Sequence, residues 1–452
     1  MAEQRRVPPG PHGLAAAAMY PRFLRDPFAF LARCVERYGD TYRLPLGPGG
    51  TTVFNHPEHL GSWLSDYDRY HKGVMSRALL PALGDGIPIS DGDKWRRNRK
   101  ALNPAFGRKH LDGLAVILAD SLRDSMDRWD RIAASGAEVD VYRELSILTM
   151  QALQRSMFSN SVDDGGVPEL IDHFRAQSMY MGGLMATFWA PKWVPTPYAR
   201  KGRAAVAAIR ARIDETVAQR RAKPTDDADL LNLLLETRHE DTGEPLSDVD
   251  LRDELMGLWF GGFDTTASAL VWTLALLAEN PEAWERLSAE ADAYTGDFRS
   301  FADTQQMPWA KAVFEEAQRL QGAVLLTRQA LTDDEIAGYF IPKGSQVGVS
   351  AYTLGRNPRV WDDPERFDPE RFMGERKAAQ HRYQFVLFGS GPRHCIGSGL
   401  AYLEGQFALA MIAQRFHVVP RAGFVPRHEF HLSVGIKGGL PATIRRRATV
   451  AA

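Results

Sequence analysis

The sequence predicts a mainly α-helical protein with small β-sheets, folded as a single domain. Apolar residues recur at helical spacing through most of the chain, whereas strand-like alternation and turn residues concentrate after Leu331. No repeat of about 20–50 residues and no low-complexity linker divides the chain. Its 452 residues are enough for one large core. We place this domain at residues 21–447, after a flexible segment at 1–20 and before a tail at 448–452.

Local signals place the elements in order. Gly202–Arg221 is an alanine- and arginine-rich helical pattern, and Lys223 and Pro224 end it. The remaining elements, in chain order, are a helix over 226–237, a long helix over 247–280, strands with a turn between 336 and 352, a proline-rich meander over 357–372, a helix from Gly397 to Phe416 and strands over 429–444.

The longest predicted helix begins at Ser247 and ends at Asn280. The spacing from Ser247 to Asp250 is that of a helix N-cap, and the helix is about 50 Å long. Its segment 255–278 contains a single charge, Asp264, and is long enough to cross a bilayer. A central charge on an isolated span costs about 2.5–3.5 kcal/mol. We therefore interpret the segment as a buried core helix and expect no membrane anchor.

Composition narrows the class of function. Hydrophobic residues make up 44% of the chain and charged residues 25%, as in soluble globular proteins. A net charge of −1 argues against a nucleic-acid partner. The chain has 2 cysteines, Cys34 and Cys395, too few for a disulfide scaffold or a cysteine-built zinc or iron–sulfur site. We recognise no targeting signal at the amino terminus and expect a cytoplasmic protein.

Cys395 lies in a glycine-rich loop, FGSGPRHCIG (388–397), that leads directly into a helix. Glycines allow the backbone to approach a flat ligand, and the amides at a helix start favour a thiolate. A lone cysteine thiolate is an axial ligand of haem iron in some proteins. Arg393, two residues before the sulfur, is placed to pair with a haem propionate. The alternative is a buried free cysteine, which is our interpretation of Cys34.

This loop resembles the haem-binding signature of the cytochrome P450 superfamily, F-x-x-G-x-R-x-C-x-G. Phe388, Gly391, Arg393, Cys395 and Gly397 occupy all of its fixed positions. The resemblance implies a helical triangular prism around a buried haem b. It also implies that Cys395 ligates the iron and that Phe388, Arg393 and Gly397 help to bind the cofactor.

A second motif, GGFDT (261–265), lies within the long helix and resembles the family's [AG]-G-x-[DE]-T pattern. Thr265 follows Gly261 by four residues, so its hydroxyl can bond that carbonyl and loosen the helix. The resemblance implies that Thr265 hydrogen-bonds dioxygen and that Asp264 helps to deliver protons. By itself, the pattern also fits a helix kink or a close helix crossing.

Glu316 and Arg319 have the i,i+3 spacing of an ion pair on a helix. Such pairs are most often exposed and contribute under about 1 kcal/mol. The family instead has an E-x-x-R pair that an arginine from a P-E-R-F meander joins. Here Arg371 occupies that position, and we expect a buried, structural cluster.

Trp95 and Arg99 resemble the family's W-x-x-x-R helix, which implies contact with a propionate. Arg328 has the position of a further propionate arginine. Basic residues crowd this region: Lys94, Arg96, Arg97, Arg99, Lys100, Arg108 and Lys109. They are either a solvated helix face or a docking surface for an acidic electron donor.

The resemblance implies a monooxygenase that activates O2 with electrons ultimately from NAD(P)H. We expect no fused redox domain and therefore a separate ferredoxin and ferredoxin reductase. The candidate pocket residues are Trp259, Phe260, Phe263, Val324, Leu325, Leu432 and Ser433, with 179–194 as a lid; for each, core packing is the alternative. They favour hydroxylation or oxidative coupling of a bulky apolar or aromatic small molecule in secondary metabolism.

Two other functions are compatible with a haem-thiolate site. A peroxygenase, isomerase or dehydratase would keep Cys395 but would have little need of a proton relay through Asp264 and Thr265. A haem sensor would bind the cofactor without turnover.

Overall fold

The computed structural model describes residues 6–159, 166–188, 196–227, 229–322, 325–430 and 433–447. In these ranges the helices are α1 Leu14–Ala17, α2 Met19–Arg25, α3 Pro27–Tyr38, α4 Gly61–Leu64, α5 Val74–Arg77, α6 Leu80–Leu83, α7 Gly92–Leu102, α8 Arg108–Ser135, α9 Val141–Phe158, α10 Gly166–Ala186, α11 Ala199–Ala222, α12 Leu230–Glu236, α13 Asp248–Glu279, α14 Pro281–Ala293, α15 Pro308–Gln321, α16 Ala351–Leu354, α17 Gly374–Ala378 and α18 Ser398–Arg415. The strands are β1 Thr41–Leu44, β2 Thr51–Phe54, β3 Tyr70–His71, β4 Glu138–Asp140, β5 Leu326–Ala330, β6 Asp334–Ile336, β7 Tyr339–Ile341, β8 Gln346–Val349, β9 Phe416–Pro420, β10 His428–Phe430, β11 Val434–Ile436 and β12 Pro441–Arg446. The mainly helical fold with small sheets is confirmed.

The largest sheet has five strands in the order β1-β2-β8-β5-β3. The pair β2 and β8 is parallel, whereas the other neighbours are antiparallel. A three-stranded sheet has the order β4-β12-β9, and the hairpins β6-β7 and β10-β11 complete the set within the described residues. The five-stranded sheet matters for the site, because it carries Arg328 in β5 and ends in β3, directly before Lys72.

Helix α13 lies at the centre of the helical part and packs against α9, α15 and α18. The side chain of Ser247 caps its start by accepting the backbone N–H of Asp250 at 3.1 Å, as the spacing predicts. The helix is long and apolar enough to cross a membrane, but 72% of its most apolar window is buried inside the protein. This is the burial expected of a core helix.

The helical core has two main parts. One joins α8, the start of α9, the second half of α13, α14, α15 and α18, and the other joins α9–α12 with the first half of α13. Cys34 is buried in a smaller cluster under α3, as its interpretation as a packing residue requires.

The division of the chain into 1–20, 21–447 and 448–452 stays a prediction. Residues 6–20 nevertheless contact the rest of the protein. The Pro9 carbonyl accepts the N–H of Arg43 at 2.8 Å, and the Arg6 carbonyl accepts that of Phe340 at 2.9 Å. Met19 is buried. Packing therefore begins before residue 21.

Candidate active site

Cys395 lies at the end of a tight loop that leads into α18. Gly389 and Gly391 have φ angles of 69° and 68°, in the left-handed region that favours glycine. A Cβ on Gly391 would also collide with the carbonyl oxygen of Leu64. The backbone N–H of Cys395 donates to the Phe388 carbonyl at 2.9 Å and closes the loop. The loop therefore fixes the cysteine at the start of the helix.

Cys395 is accessible to solvent, whereas Cys34 is buried. The Gly397 N–H donates to the sulfur, and Arg99 is close enough for its charge to favour a thiolate. Burial has the larger effect and raises the pKa of the Cys395 thiol. The helix-start amide is thus present but does not by itself produce a thiolate, and a coordinated metal cation would deprotonate the sulfur. The Arg99 Nε donates to Oδ1 of Asn103 at 2.8 Å.

The two other predicted loop residues shape the surroundings of the sulfur. The Phe388 ring packs edge-to-face on Tyr402, with centroids 5.1 Å apart. Gly397 is the N-cap of α18, and a Cβ there would meet no atom within 4 Å. The loop thus leaves open space at the start of the helix.

Cationic side chains converge beside this loop. Arg393 forms an ion pair with Asp91 and stacks on Trp95, with its guanidinium carbon 4.0 Å from the ring centroid. Burial and the charge of Arg393 lower the pKa of Arg328 to about 10. Burial and both arginines also lower the pKa of Lys72, whose backbone N–H donates to the Asp91 carboxylate at 3.1 Å. We call Lys72, Arg328 and Arg393 the cationic cluster.

The cationic cluster lacks a full set of counter-charges. All three groups face the carboxylate of Asp91, and the exposed Arg77 also lies 3.9 Å from it, so cationic side chains outnumber the carboxylate here. The carboxylates of a ligand would add counter-charge to the cluster. The structure brings together Trp95, Arg328 and Arg393 as predicted site residues and adds Lys72 and Asp91. The last two belong to no motif that identifies them in the sequence.

Glu316, Arg319 and Arg371 form a buried cluster. The Arg319 guanidinium binds the Glu316 carboxylate through two hydrogen bonds of 2.6 and 2.8 Å, and Nε of Arg371 lies 3.4 Å from Oε1 of Glu316. Arg319 also donates to the carbonyls of Pro364 and Arg366 in the meander, at 2.7 and 3.1 Å. The cluster therefore ties α15 to the segment that precedes the cysteine loop.

The middle of α13 has one open face. Gly261 and Thr265 are exposed, and Leu258 and Ala269 are half-buried. Spacings of three and four residues place these four positions on the same side of the helix, which we call the open face. The Thr265 hydroxyl donates to the Gly261 carbonyl at 2.5 Å, as its position predicts. A Cβ on Gly261 would meet no atom within 4 Å, so this face is free to receive a ligand.

Asp264, next to Thr265, is bonded to other elements. Its Oδ2 accepts the Ser433 hydroxyl at 2.5 Å and the Ser178 hydroxyl at 3.4 Å. The carboxylate therefore links α13 to α10 and to the hairpin of β10 and β11. Ser433, predicted as a pocket residue, is buried and acts as a hydrogen-bond partner.

The structure places the predicted pocket residues of α13 in contact with aromatic side chains of α9 and α10. Trp259 packs against Phe158 and Phe174, with ring centroids 5.0 and 5.3 Å away, and Phe263 packs on Phe174 at 5.6 Å. Phe260 lies 6.4 Å from the same ring. Trp259, Phe260 and Phe263 are core residues on other sides of α13 than the open face. Their size and apolarity suit either role, so their composition alone does not distinguish them.

Of the other predicted pocket residues, Leu325 and Ser433 belong to the described part of the chain. Leu325 is half-buried, directly before β5. Val324 and Leu432 lie outside the described residues, as does 189–194 of the predicted lid. Residues 179–186 of that lid belong to α10.

A helical protein with an accessible cysteine at the start of a helix, beside a cluster of cationic side chains, fits a haem-thiolate protein. The chain belongs to the cytochrome P450 family, whose family model matches residues 8–438. It is a cytochrome P450 monooxygenase, in agreement with the names of its relatives.

Two relatives from Streptomyces melanosporofaciens match most of the chain. Cyclooctat-9-en-7-ol 5-monooxygenase is 31% identical over 405 residues, which cover 88% of this chain and 86% of the relative. Cyclooctatin synthase is 31% identical over 438 residues, 94% of this chain and 93% of the relative. The crystal structure of the cytochrome P450DA heme domain shares the fold, with a TM-score of 0.85 and 24% identity over 99% of both chains.

The residues present fit the haem that the family implies. Cys395 would hold the iron, and the cationic cluster would bind the two propionates, which would supply the counter-charge that it lacks. When bound, the haem supplies the binding and reductive activation of O2. The chain itself supplies a threonine hydroxyl on the open face of α13 and the Asp264 carboxylate beside it.

Proposed function

We propose that this protein inserts one oxygen atom of O2 into a bulky, largely hydrocarbon small molecule in bacterial secondary metabolism. The reaction balances as substrate, O2, two electrons and two protons giving hydroxylated product and water. The exposed pair of Gly261 and Thr265, in the middle of an otherwise buried helix, carries this proposal. The half-buried Leu258 and Ala269 give the same face an apolar lining.

The relatives support the substrate class. One relative is named for the substrate cyclooctat-9-en-7-ol. This name describes a largely hydrocarbon molecule with one double bond and one hydroxyl group. Binding of such a ligand is favoured mainly because its apolar surface leaves water. Each Å² of apolar surface buried contributes about 25 cal/mol to the free energy of binding. Its binding requires an apolar face and few polar partners, which the open face of α13 provides.

Thiolate ligation is tested with the reduced, carbon monoxide-treated holoprotein. We expect a strongly red-shifted Soret band in the wild type and its loss in Cys395→Ala. Cys34→Ala is the matched control, because Cys34 is buried in the hydrophobic cluster around α3, and it should keep the band. A histidine-type spectrum in the wild type would contradict haem-thiolate chemistry.

Oxygen insertion is tested by turnover with NADPH, a ferredoxin, its reductase and isotopically labelled O2. We expect labelled hydroxyl product with apolar substrates that shift the spin state. Thr265→Ala should lower the fraction of NADPH that yields product, since it removes the hydroxyl of the open face. Product that forms only with added hydrogen peroxide would instead identify a peroxygenase. Haem binding without any product would favour a sensor.

We also propose that a cytoplasmic ferredoxin docks at α7 and at the start of α8. Part of the basic group there is already neutralised: Lys94 pairs with Asp250 at 2.9 Å, and Lys100 pairs with Glu240 at 2.5 Å. Arg108 is exposed and has no ion pair among the described residues. Only part of the basic group is thus available to an acidic partner.

The docking surface is tested by the rate of reduction at several salt concentrations. Arg108→Glu should slow reduction by ferredoxin and weaken its dependence on salt. Arg203→Glu, at an exposed arginine of α11, makes the same charge change elsewhere and should have little effect. Equal slowing by both variants would contradict docking at α8.

A further inference from the structure

The hydroxyl donors to Asp264 come from neighbouring elements. Ser433, directly before β11, donates to Oδ2 at 2.5 Å, and Ser178 of α10 donates to the same atom at 3.4 Å. Both serines are buried. A hydrogen bond to a carboxylate from a buried hydroxyl is shorter and stronger than one between neutral groups. The Ser433 bond therefore has the larger influence on the orientation of Asp264.

Ser433 is the last member of a chain of hydroxyls. Its Oγ accepts the Ser268 hydroxyl at 3.2 Å, and the Ser268 Oγ lies 2.9 Å from the Tyr142 hydroxyl. Each hydroxyl has one proton. Because Ser433 donates to Asp264 and Ser268 donates to Ser433, Tyr142 must donate to Ser268. All three O–H groups thus point toward the carboxylate, and each strengthens the next.

The far end of this chain does not release its proton easily. Tyr142 is buried, and burial and the nearby Asp264 raise the pKa of its phenol. The other charges that act on it are Arg175 of α10 and Glu429 of β10. The chain therefore holds and orients Asp264 and does not supply it with protons.

We propose that Ser433, supported by Ser268 and Tyr142, is the positioning residue that holds the Asp264 carboxylate toward the hairpin of β10 and β11. While this bond is made, the carboxylate is stabilised in its charged form on the side of α13 that faces the hairpin. Because the Ser433 bond favours the charged form of Asp264, it sets how readily this carboxyl binds a proton for delivery to the open face. This consequence for turnover rests on the proposed function, whereas the positioning itself does not.

The direct test is the titration of Asp264 without turnover. Holoprotein with isotopically labelled aspartate is titrated by infrared difference spectroscopy, and the Asp264 band is assigned by its loss in Asp264→Asn. Ser433→Ala should raise the proton affinity of Asp264 about tenfold, because it removes a hydrogen bond to the charged form. Ser433→Thr keeps the hydroxyl and should restore the wild-type titration.

Ser288→Ala is the matched control, because Ser288 is a buried serine of α14 that donates to Ala413 at 3.3 Å. It should leave the Asp264 titration unchanged. An unchanged titration in Ser433→Ala, or an equal shift in Ser288→Ala, would overturn the proposal. A shifted titration in a protein that makes no oxygenated product would retain the positioning role and refute the proposed function. In an active enzyme, the pH profile of product formed per NADPH should shift with the titration.

Discussion

The Glu316 carboxylate is shared by two buried guanidiniums, those of Arg319 and Arg371. Burial raises the pKa of Glu316, and the two arginines oppose this effect. Removal of the carboxylate would leave two desolvated cations without their counter-charge. The resulting loss of stability is therefore larger than the net contribution of the intact cluster to folding. We predict that Glu316→Gln lowers the free energy of unfolding by about 3–5 kcal/mol. Denaturant titration of the holoprotein measures this change.

A surface pair of the same spacing provides the control. Arg123 and Asp120 are also i,i+3 neighbours on a helix, 2.6 Å apart, but both are exposed. Asp120→Asn should lower the free energy of unfolding by less than about 1 kcal/mol. Similar losses of unfolding free energy in Glu316→Gln and Asp120→Asn would show that burial of the cluster does not increase the cost of removing its carboxylate.

The residue scale also shows what a sequence can predict about the site. Cys395 and Arg393 belong to a motif whose local backbone, with its two left-handed glycines, brings them into place. Lys72 and Asp91 reach the same place through the pairing of β3 with β5 and the start of α7. Such convergence depends on tertiary packing, which no local pattern records.

At the scale of the element, α13 combines one open face with burial of most of its other residues. Its neighbouring glycines are not equivalent. A Cβ on Gly261 would meet no atom within 4 Å, whereas a Cβ on Gly262 would lie 2.8 Å from Cδ1 of Leu153. Gly262 thus allows close packing of α9, and Gly261 leaves room at the site.

This difference predicts opposite results for two similar variants. In mid-helix, alanine is favoured over glycine by about 1 kcal/mol, so Gly261→Ala should raise the free energy of unfolding by up to this amount. Gly262→Ala should give no gain or a loss, because the new methyl overlaps Leu153. Thermal and denaturant unfolding of the apoprotein compare the two without the effect of haem. An equal gain in stability in both variants would show that the Leu153 side chain moves away from the new methyl group without a cost in free energy.

The same helix shows why a sequence does not decide which aromatic residues face a ligand. The hydrophobic run of α13 predicts burial on all sides, and its boundaries follow from the Ser247 cap and the proline after Asn280. Which aromatic residues face a ligand depends on the positions of α9 and α10. Trp259 lies against Phe158 and Phe174 of these helices, so the neighbours rather than the helix decide its role.

At the scale of the whole molecule, buried titratable groups give folding a dependence on pH. Burial raises the pKa of Glu404 in α18 from 4.5 to about 8 and that of Glu254 in α13 to about 7. Burial lowers the pKa of His428 from 6.5 to about 4. The two carboxyls bind protons in the folded state that the unfolded chain releases, so they favour folding at low pH. His428 favours unfolding at low pH, because the unfolded chain binds a proton there that the folded state does not.

Each of these three groups changes the stability of the protein over its own range of pH. The His428 contribution increases stability as pH rises from about 4 to 6.5 and then stays constant. The Glu254 contribution is lost between about pH 4.5 and 7, and the Glu404 contribution continues to fall until about pH 8. Between pH 7 and 8, Glu404 is therefore the one of these three groups that still changes stability.

We predict that Glu404→Gln reduces the loss of stability between pH 7 and 8. One proton held only by the folded state corresponds to a slope of at most about 1.4 kcal/mol per pH unit. The measurement is the free energy of unfolding of both proteins, by denaturant titration at intervals from pH 5 to 9. The difference between them isolates Glu404 from all other groups. Glu254→Gln, the control, should alter the slope only below about pH 7. Parallel curves for the wild type and Glu404→Gln above pH 7 would mean that Glu404 is already ionised in the folded protein.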